Sequence, residues 1–521
     1  MNIYFLYTGG TIGSWETKEG LAPMPWKIFK SAFQKKIEQI ITKKHPDINF
    51  VYDGFDAPLD STNMQPRQWV EIAQRIIDNY LNCDGFLILH GTDTMAYTSS
   101  ALSFLLPKIT KPIIVTGSQL PLFKTTETKR TSVTKFDFQY NTDALRNIMG
   151  SISFLTQGMP EVCLFFADKL FRGNRAVKSN ANGFIAFESP NFPPLGEYGL
   201  TPKLNKNLIL PIPRGRTLDF KRVMVDGKIR SKASWKKGTE FLVNLPRLKK
   251  KLERIVTNIN EKSVIPFLIF PAYHDESSDQ SLLVNMLNVL IEINPNVKGI
   301  ILNSYGAGNV PDFKSMKDFI EIAYKRGIII VDCTQVFSGT VNKNTYATGS
   351  WMKDRVISAN DMTPIAALSK LAIQLTQYSY LSKAEIENKF GEVIAGEMTN
   401  NYSLSGHQNE FLMPGDRLTS INGKYQFENT LQGDLVLWDM SDGIAKQVSI
   451  KKCGSPGRVI MQSYFGLVFY DKNLELLYSS HDGDLDKDAF FMIENNGDLT
   501  IRDSVTNHVI KEINDDFELV S

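Results

Sequence analysis

Short apolar runs alternate with helix-spaced apolar positions over the first 400 residues. The run at 3–7 (IYFLY) is too short for a helix and is rich in β-formers, so it reads as a strand. Further strands are expected at 48–52, 86–89, 112–116, 161–166, 264–270, 299–302 and 328–332. Between them lie helical patterns. In 26–44, Ile28, Phe29, Phe33, Ile37, Ile40 and Ile41 share one face while lysines fill the other. Similar patterns predict helices at 66–81, 93–105, 144–155, 279–294, 312–325 and, after Gly349, 362–377. Strands alternating with helices imply parallel sheets with helices on both faces. Three stretches do not fit this rhythm. Residues 14–25, rich in Gly, Pro and charge, are expected to form a loop. Residues 123–138 are polar, basic and aperiodic, as in an inserted surface loop. Residues 203–263 hold a strongly basic segment at 214–237 and a short basic amphipathic helix at 245–253, expected as a solvated insertion.

Past residue 400 the period changes. QGDLVLWD ends at Asp439, YFGLVFYD at Asp471 and NGDLTIRD at Asp503, a constant spacing of 32. The register holds position by position: Leu435, Leu467 and Leu499; Val436, Val468 and Thr500; Leu437, Phe469 and Ile501; Trp438, Tyr470 and Arg502. Self-similarity at a fixed period marks a repeat architecture. The units consist of short alternating strands separated by Gly, Asn or Asp turns, so this part is expected to be all-β.

A chain of 521 residues is too long for one ordinary core. The expected domains are 1–200, a linker and insertion at 201–262, then 263–400 and 401–521. Charge supports the last boundary. Residues 401–521 carry 10 Lys+Arg and 19 Asp+Glu, net −9, which leaves +11 on the rest. That surplus is too diffuse to make nucleic acid an expected partner. No run of eighteen apolar residues exists, and position 1 leads directly into a strand without a leader-like segment, so no membrane partner or export is expected. Cys83, Cys163, Cys333 and Cys453 are scattered and form no CxxC pair, which fits reduced thiols and a cytoplasmic location. The rare histidines do not cluster with cysteines, so no structural metal is expected.

Chemistry gathers at strand ends. The first strand runs into TGGTIG (8–13), where Thr11 stands between Gly10 and Ile12. Strand 86–89 runs into HGTDTM (90–95), which offers Gly91, Thr92 and Asp93. Glycines let backbone N–H groups approach a substrate, and ligands of open α/β sheets sit outside the strand carboxyl ends. Taken alone, each string has an ordinary explanation: a strand-to-loop turn, or in Asp93 a carboxylate compensating a helix dipole. Ser61 and Thr62, ahead of helix 66–81, read first as N-caps, although a helix N-terminus also receives carboxylates. Lys178, in RGNRAVK (172–178), would ordinarily be solvated.

Together, TGGTIG and HGTDTM resemble the signatures of the L-asparaginase family. The long match HGTDTMAYTSSALSF resembles its bacterial cytoplasmic, type I branch. GSQLP (117–121), RGNRAVK and NFPP (191–194) continue the likeness to about residue 399. The resemblance implies a two-domain α/β fold, a homodimer or homotetramer and hydrolysis of L-asparagine to L-aspartate and ammonia without a cofactor. It implies catalytic roles for Thr11, Thr92, Asp93 and Lys178. It also implies substrate binding by Ser61, Thr62 and Asp93, with Gly10 and Gly91 supplying backbone. In that family the loop after the first motif closes over the substrate and often carries a Tyr; here GLAP (20–23) has none. Type I enzymes can carry an allosteric asparagine site, whose positions here read Asn303, Val336 and Val177 without the expected polar groups, so that control is expected to be missing or altered. Segment 304–309 is expected near a neighbouring subunit's site.

The repeat region resembles the bulb-type mannose-binding lectins, a three-fold β-prism that binds sugar through Q-x-D-x-N-x-V-x-Y. Unit one reads Thr430, Gln432, Asp434, Val436, Trp438. Unit two reads Gln462, Tyr464, Gly466, Val468, Tyr470, and unit three Glu494, Asn496, Asp498, Thr500, Arg502. None is complete, so a packing or oligomerisation module competes with weak carbohydrate binding. Three activities compete for the whole chain: an asparaginase, a transfer-RNA-dependent amidotransferase subunit releasing ammonia, and a non-catalytic carbohydrate-binding protein.

Overall fold

The structure is a computed structural model that describes all residues except 130–131, 206–207, 211–214, 226–227, 239, 342–350, 353–354, 400–402, 407–409, 421–423, 442–444, 463–465, 482–488, 504–507 and 521. Gly349 and Tyr464 lie outside the described residues. The chain divides into two compact units, Met1–Gly391 and Glu392–Ser521.

The first unit begins with β1 (Asn2–Gly9), β2 (Ser14–Thr17), β3 (Gly20–Pro23), β4 (Asn49–Leu59), β5 (Gly85–Leu89), β6 (Ile113–Thr116), β7 (Phe123–Lys129) and β8 (Ser132–Phe138). It continues with β9 (Val162–Phe166), β10 (Lys169–Arg172), β11 (Val177–Lys178), β12 (Phe187–Glu188), β13 (Gly196–Tyr198) and β14 (Pro202–Leu204). One eight-stranded sheet takes the order β14-β13-β10-β9-β6-β5-β1-β4. Its centre, β4 through β9, is parallel, and β10, β13 and β14 add antiparallel. Every residue of β5, β6 and β9 is buried, as a sheet covered on both faces requires.

The helices are α1 (Trp26–Phe33), α2 (Gln39–Lys44), α3 (Pro66–Asp78), α4 (Met95–Leu105) and α5 (Ala144–Leu155). The single helix expected at 26–44 contains a π-turn at Gln34–Glu38. Its extra residue keeps Phe29, Phe33, Ile37 and Ile41 buried while Ile40 is turned to solvent. Three expected loops are ordered strands instead. Residues 14–23 form the β2–β3 hairpin, and the insertion after residue 122 forms the β7–β8 hairpin. Phe123, Phe136 and Phe138 of that second hairpin join the core, so three aromatic anchors outweigh its polar middle. In the region read as a basic insertion, Gly215–Val225 and Lys228–Gly238 pair as a long ribbon, and the helix extends over Glu240–Asn258.

The remainder of this unit is a second parallel sheet, Ser263–Leu268, Val297–Ser304, Ile329–Thr334 and Val356–Ser358 in that order. Helix Pro364–Gln377 packs against both this sheet and α4. The two halves are tied by polar contacts. Arg175 Nη1 meets Asp361 Oδ2 at 2.8 Å with both side chains buried. Asn191 donates to the carbonyls of Gly339 and Asp361 at 3.1 and 2.9 Å.

Among its described residues the second unit contains three antiparallel sheets. Each holds one repeated segment as an inner strand: Asp434–Asp439, Gly466–Asp471 and Leu499–Asp503. Leu435, Leu467 and Leu499, together with Leu437, Phe469 and Ile501, fill one shared core. Among the described residues no helix is long and apolar enough to cross a membrane.

Removing one member of a buried ion pair leaves the other charge desolvated and alone, which costs about 3–5 kcal/mol. Arg175→Met should therefore lower the urea midpoint of the first unit's unfolding, while Arg175→Met combined with Asp361→Leu should recover much of the loss.

Candidate active site

Strand β1 lies between β4 and β5. The chain leaves β1 to one side and returns later on the other. Where strand order reverses in this way, the following loops part and open a crevice at the carboxyl edge. The loop after β1 carries Gly10 and Thr11; the loop after β5 carries Gly91, Thr92 and Asp93. They touch through backbone. A Cβ placed on Gly10 would lie 2.3 Å from the Cα and N of Gly91, and one on Gly91 would lie 2.5 Å from Ser61 Oγ. Only glycine permits both approaches.

Thr11 is half-buried and opens the short turn Thr11–Gly13. Several donors fasten that turn. Gly13 N–H and the Ser14 hydroxyl reach the Gly10 carbonyl at 3.1 and 3.0 Å. Leu122 N–H reaches the Ile12 carbonyl at 3.0 Å, and the Tyr7 hydroxyl reaches that of Gly13 at 3.1 Å. Gly10 N–H itself donates to the Leu59 carbonyl at 3.0 Å. It is thus occupied, and the contribution of Gly10 is close packing rather than an open donor.

Lys178 Nζ lies 2.8 Å from Thr92 Oγ1 and 2.8 Å from Asp93 Oδ1. Thr92 is buried, Lys178 largely so, and Asp93 faces solvent with 54% of its side chain exposed. Thr92, Asp93 and Lys178, the last 85 residues beyond Asp93 along the chain, are therefore one hydrogen-bonded group. Lys178 is placed by a buried support. Arg172 Nε pairs with Glu161 at 2.8 Å, and Ser99 Oγ holds the Gly173 carbonyl at 2.7 Å. Strand β11 then pairs Lys178 with Phe187.

Ser61 is buried against Gly91, and its carbonyl accepts from the Thr94 hydroxyl at 2.8 Å. Thr62 is differently placed. Both its N–H and its hydroxyl donate to Asp60 Oδ1 at 2.9 Å, a capping arrangement on the exposed side. The β2–β3 hairpin stands beside the Thr11 turn. Trp15 stacks on Phe136 at 6.2 Å, Phe136 meets Phe123, Phe123 meets Phe29, and Phe29 stacks on Tyr7 at 4.1 Å. This aromatic file ties the hairpin to the floor of the site. Leu21 is exposed at the position where the family often carries Tyr.

Two residues with no assigned role in the sequence occupy the site's support. His90 is wholly buried. Its Nδ1 lies 2.7 Å from the Gly91 carbonyl and its Nε2 2.9 Å from Thr98 Oγ1. A carbonyl only accepts, so Nδ1 carries the proton and Nε2 accepts from the Thr98 hydroxyl. Burial pushes this imidazole down to about 4. Gln119 is the other, and its contacts are taken up below. Its signal lay in GSQLP, whose position at a strand end marks it as site-facing.

Elsewhere, Asn303 is half-buried and Val336 exposed. In the second unit the unit-three polar positions bond one another. Glu494 Oε1 accepts from Arg502 Nε at 2.6 Å and from Thr500 Oγ1 at 2.7 Å, and Asn496 donates to Asp498 at 2.6 Å. In unit one, Trp438 Nε1 donates to Glu428 at 2.8 Å. Among the described residues no three His, Cys, Asp or Glu side chains gather as metal ligands.

A doubly wound sheet carries hydroxyl-bearing loops on both sides of its reversal point, one of them hydrogen-bonded to a lysine. The family comparisons give the class. Residues 2–210 match the model of "Asparaginase, N-terminal", and 281–390 that of "Glutaminase/Asparaginase C-terminal domain". L-asparaginase 1 of Escherichia coli (strain K12) is 34% identical over 402 residues, 76% of this chain and 98% of that protein. Among solved structures, L-asparaginase I from Vibrio cholerae O1 biovar eltor superposes with a TM-score of 0.53 at 32% identity, covering 76% of this chain and 99% of that one. The thermostable L-asparaginase from Thermococcus kodakarensis gives 0.55 at 26%, covering 77% and 100%. The chain belongs to the L-asparaginase family, and it is an amidohydrolase.

His90 also sets a pH dependence. Its folded value lies below the ordinary 6.5, so between those values the unfolded chain binds a proton that the folded chain refuses. Stability should fall by up to ~3 kcal/mol as pH drops from about 6.5 to about 4. Urea titrations across that window should show the slope, and His90→Gln should flatten it.

Proposed function

We propose that the chain is an L-asparaginase that hydrolyses L-asparagine to L-aspartate and ammonia through an acyl-enzyme on Thr11. The observation that supports this reading is the hydrogen-bonded Lys178–Thr92–Asp93 group, whose loop meets the Thr11-bearing loop at the Gly10–Gly91 contact. Thr11 Oγ1 attacks the side-chain amide carbon, and the amide nitrogen leaves as ammonia once protonated. Water then attacks the ester and restores the hydroxyl. Thr92 stands between Lys178 and the reacting centre and passes protons. Asp93, exposed toward the crevice, takes the substrate's α-ammonium, and buried Ser61 its α-carboxylate. Backbone N–H groups of Thr11 or of Gly91 and Thr92 stabilise the oxyanion, since that of Gly10 is engaged by Leu59. The hairpin β2–β3 is the lid, held by Trp15 on Phe136.

The family's homo-oligomeric state is extended to this chain. An exposed apolar stripe on helix Leu282–Ile293, formed by Leu282, Met286, Val289 and Ile293, supports it. Buried free thiols at Cys83, Cys163 and Cys333 support a reducing, cytoplasmic setting. Residues 401–521 serve as a β-prism packing module of bulb-type lectin ancestry. The mutual hydrogen bonds of Glu494, Thr500 and Arg502 support this over sugar binding, because a hexose would have to displace them.

An ammonia-release assay with asparagine and glutamine tests the activity. Thr11→Ala and Lys178→Met should each lower kcat about 10²–10⁴-fold, and undiminished turnover in Thr11→Ala would remove it as nucleophile. Saturation by asparagine should be hyperbolic, because Val177 and Val336 offer no polar group to an effector; a sigmoidal curve would contradict the expected loss of allosteric control.

A further inference from the structure

Gln119 follows β6 and reaches Thr92. Its side chain is held from both ends. Nε2 lies 3.1 Å from the Ala181 carbonyl and 2.9 Å from the Gly183 carbonyl. A carboxamide nitrogen has two protons, and two carbonyls take both. That assigns the other end: Oε1 is the atom turned toward Thr92 Oγ1, 3.4 Å away. The residue's backbone N–H is fixed in turn by both oxygens of Asp143, at 3.1 and 3.0 Å.

We propose that Gln119 is a positioning residue that orients the Thr92 hydroxyl for proton transfer from Lys178; this rests on the asparaginase reading of the site. Thr92 Oγ1 has one proton and receives a hydrogen bond from Lys178 Nζ at 2.8 Å. While Lys178 donates, the threonine proton must point elsewhere, and Gln119 Oε1 is the acceptor it meets. The file Lys178 → Thr92 → Gln119 therefore has a direction. At 3.4 Å the last bond is weak, so the proton is aimed without being trapped. When substrate occupies the crevice, that proton swings to the departing amide nitrogen. The C–N bond breaks, ammonia leaves, Lys178 passes a proton to Thr92 Oγ1, and the proton that Thr11 Oγ1 loses on attack returns through solvent to Lys178. In the second half, attacking water adds its hydroxyl to the acyl carbon, its other proton passes through the Thr92 hydroxyl to Thr11 Oγ1 as the ester bond breaks, and the product acid ionises to aspartate. Gln119 gains and loses no proton in this cycle.

The same side chain also sets a distance. Ala181 and Gly183 lie in the segment that runs directly on from Lys178 at the end of β11. Gln119 thus bonds both the hydroxyl that receives the proton and the segment that carries the amine. Asp93 holds Lys178 from the solvent side at 2.8 Å, and Gln119 braces the opposite end.

Steady-state ammonia release by the full-length chain tests this. Gln119→Met keeps the length and removes both functions of the amide. It should lower kcat about tenfold to a hundredfold with KM within about twofold and an unchanged thermal midpoint. Gln119→Glu keeps an acceptor toward Thr92 and should retain several times more kcat than Gln119→Met. Wild-type kcat in Gln119→Met overturns the role. Equal losses in both variants with a raised KM reduce Gln119 to a loop brace and also overturn it. A wild type that releases no ammonia from asparagine or glutamine overturns the asparaginase reading itself, whereas an active wild type matched by Gln119→Met overturns this role alone.

Discussion

The contact between the backbones of Gly10 and Gly91 governs everything at the carboxyl edge of the large sheet. The two loops belong to neighbouring strands whose connections depart in opposite directions. Nothing in the sheet ladder draws them together beyond the strand ends. They close because neither carries a Cβ where they meet, so main chain lies against main chain. Ser61 completes the contact from a third loop and is buried by it. The loops that carry Thr11 and Thr92 are brought together by this packing.

The basic string that leads to Lys178 shows how a cation is held without being solvated. In sequence, RGNRAVK has the composition of a surface segment. In the fold, Arg172 and Arg175 are buried, each with a carboxylate partner, and their rigid ion pairs fix the path of the chain before it reaches the lysine. Buried pairs of this sort add little net stability compared with apolar packing, but they specify one geometry. The serines of α4 serve the same end from the other side. Ser99 and Ser100 are buried and both reach the Gly173 carbonyl, which lets a helix of small residues pack closely beneath the loop. One of the two arginines also joins the halves of the unit through Asp361, so the geometry around Lys178 depends on the second sheet as well.

Departures from the family pattern have physical roles that composition conceals. The polar insertion at 123–138 is anchored by phenylalanines at its base, and through Phe136 and Trp15 it supports the hairpin beside Thr11. In the second unit the positions repeated every 32 residues divide by face. The leucines and their apolar neighbours fill the shared core, while Trp438 and Arg502 find carboxylate partners within their own sheets. The apolar frame therefore makes a self-sufficient core, and the polar positions satisfy one another.

Periodicity determined much by itself. Fully apolar runs such as 86–89 had to be buried strands, helix-spaced residues such as Phe29 and Phe33 had to face a core, and a strict 32-residue register had to give equivalent strands. The strand-end strings TGGTIG and HGTDTM also named Thr11, Thr92 and Asp93 without coordinates. Local signals failed where burial came from distant partners. Ile40 fits the apolar stripe of 26–44, yet a π-turn rotates it outward; residues 14–23 look like a loop, yet pair as a hairpin. Only the tertiary structure decided that Lys178 meets Thr92, that Thr62 turns to Asp60 while Ser61 is enclosed, and that Gln119 spans two loops. Sequence patterns record how each segment divides itself between water and core, whereas hydrogen-bond partners tens of residues apart are chosen by the way the sheet winds.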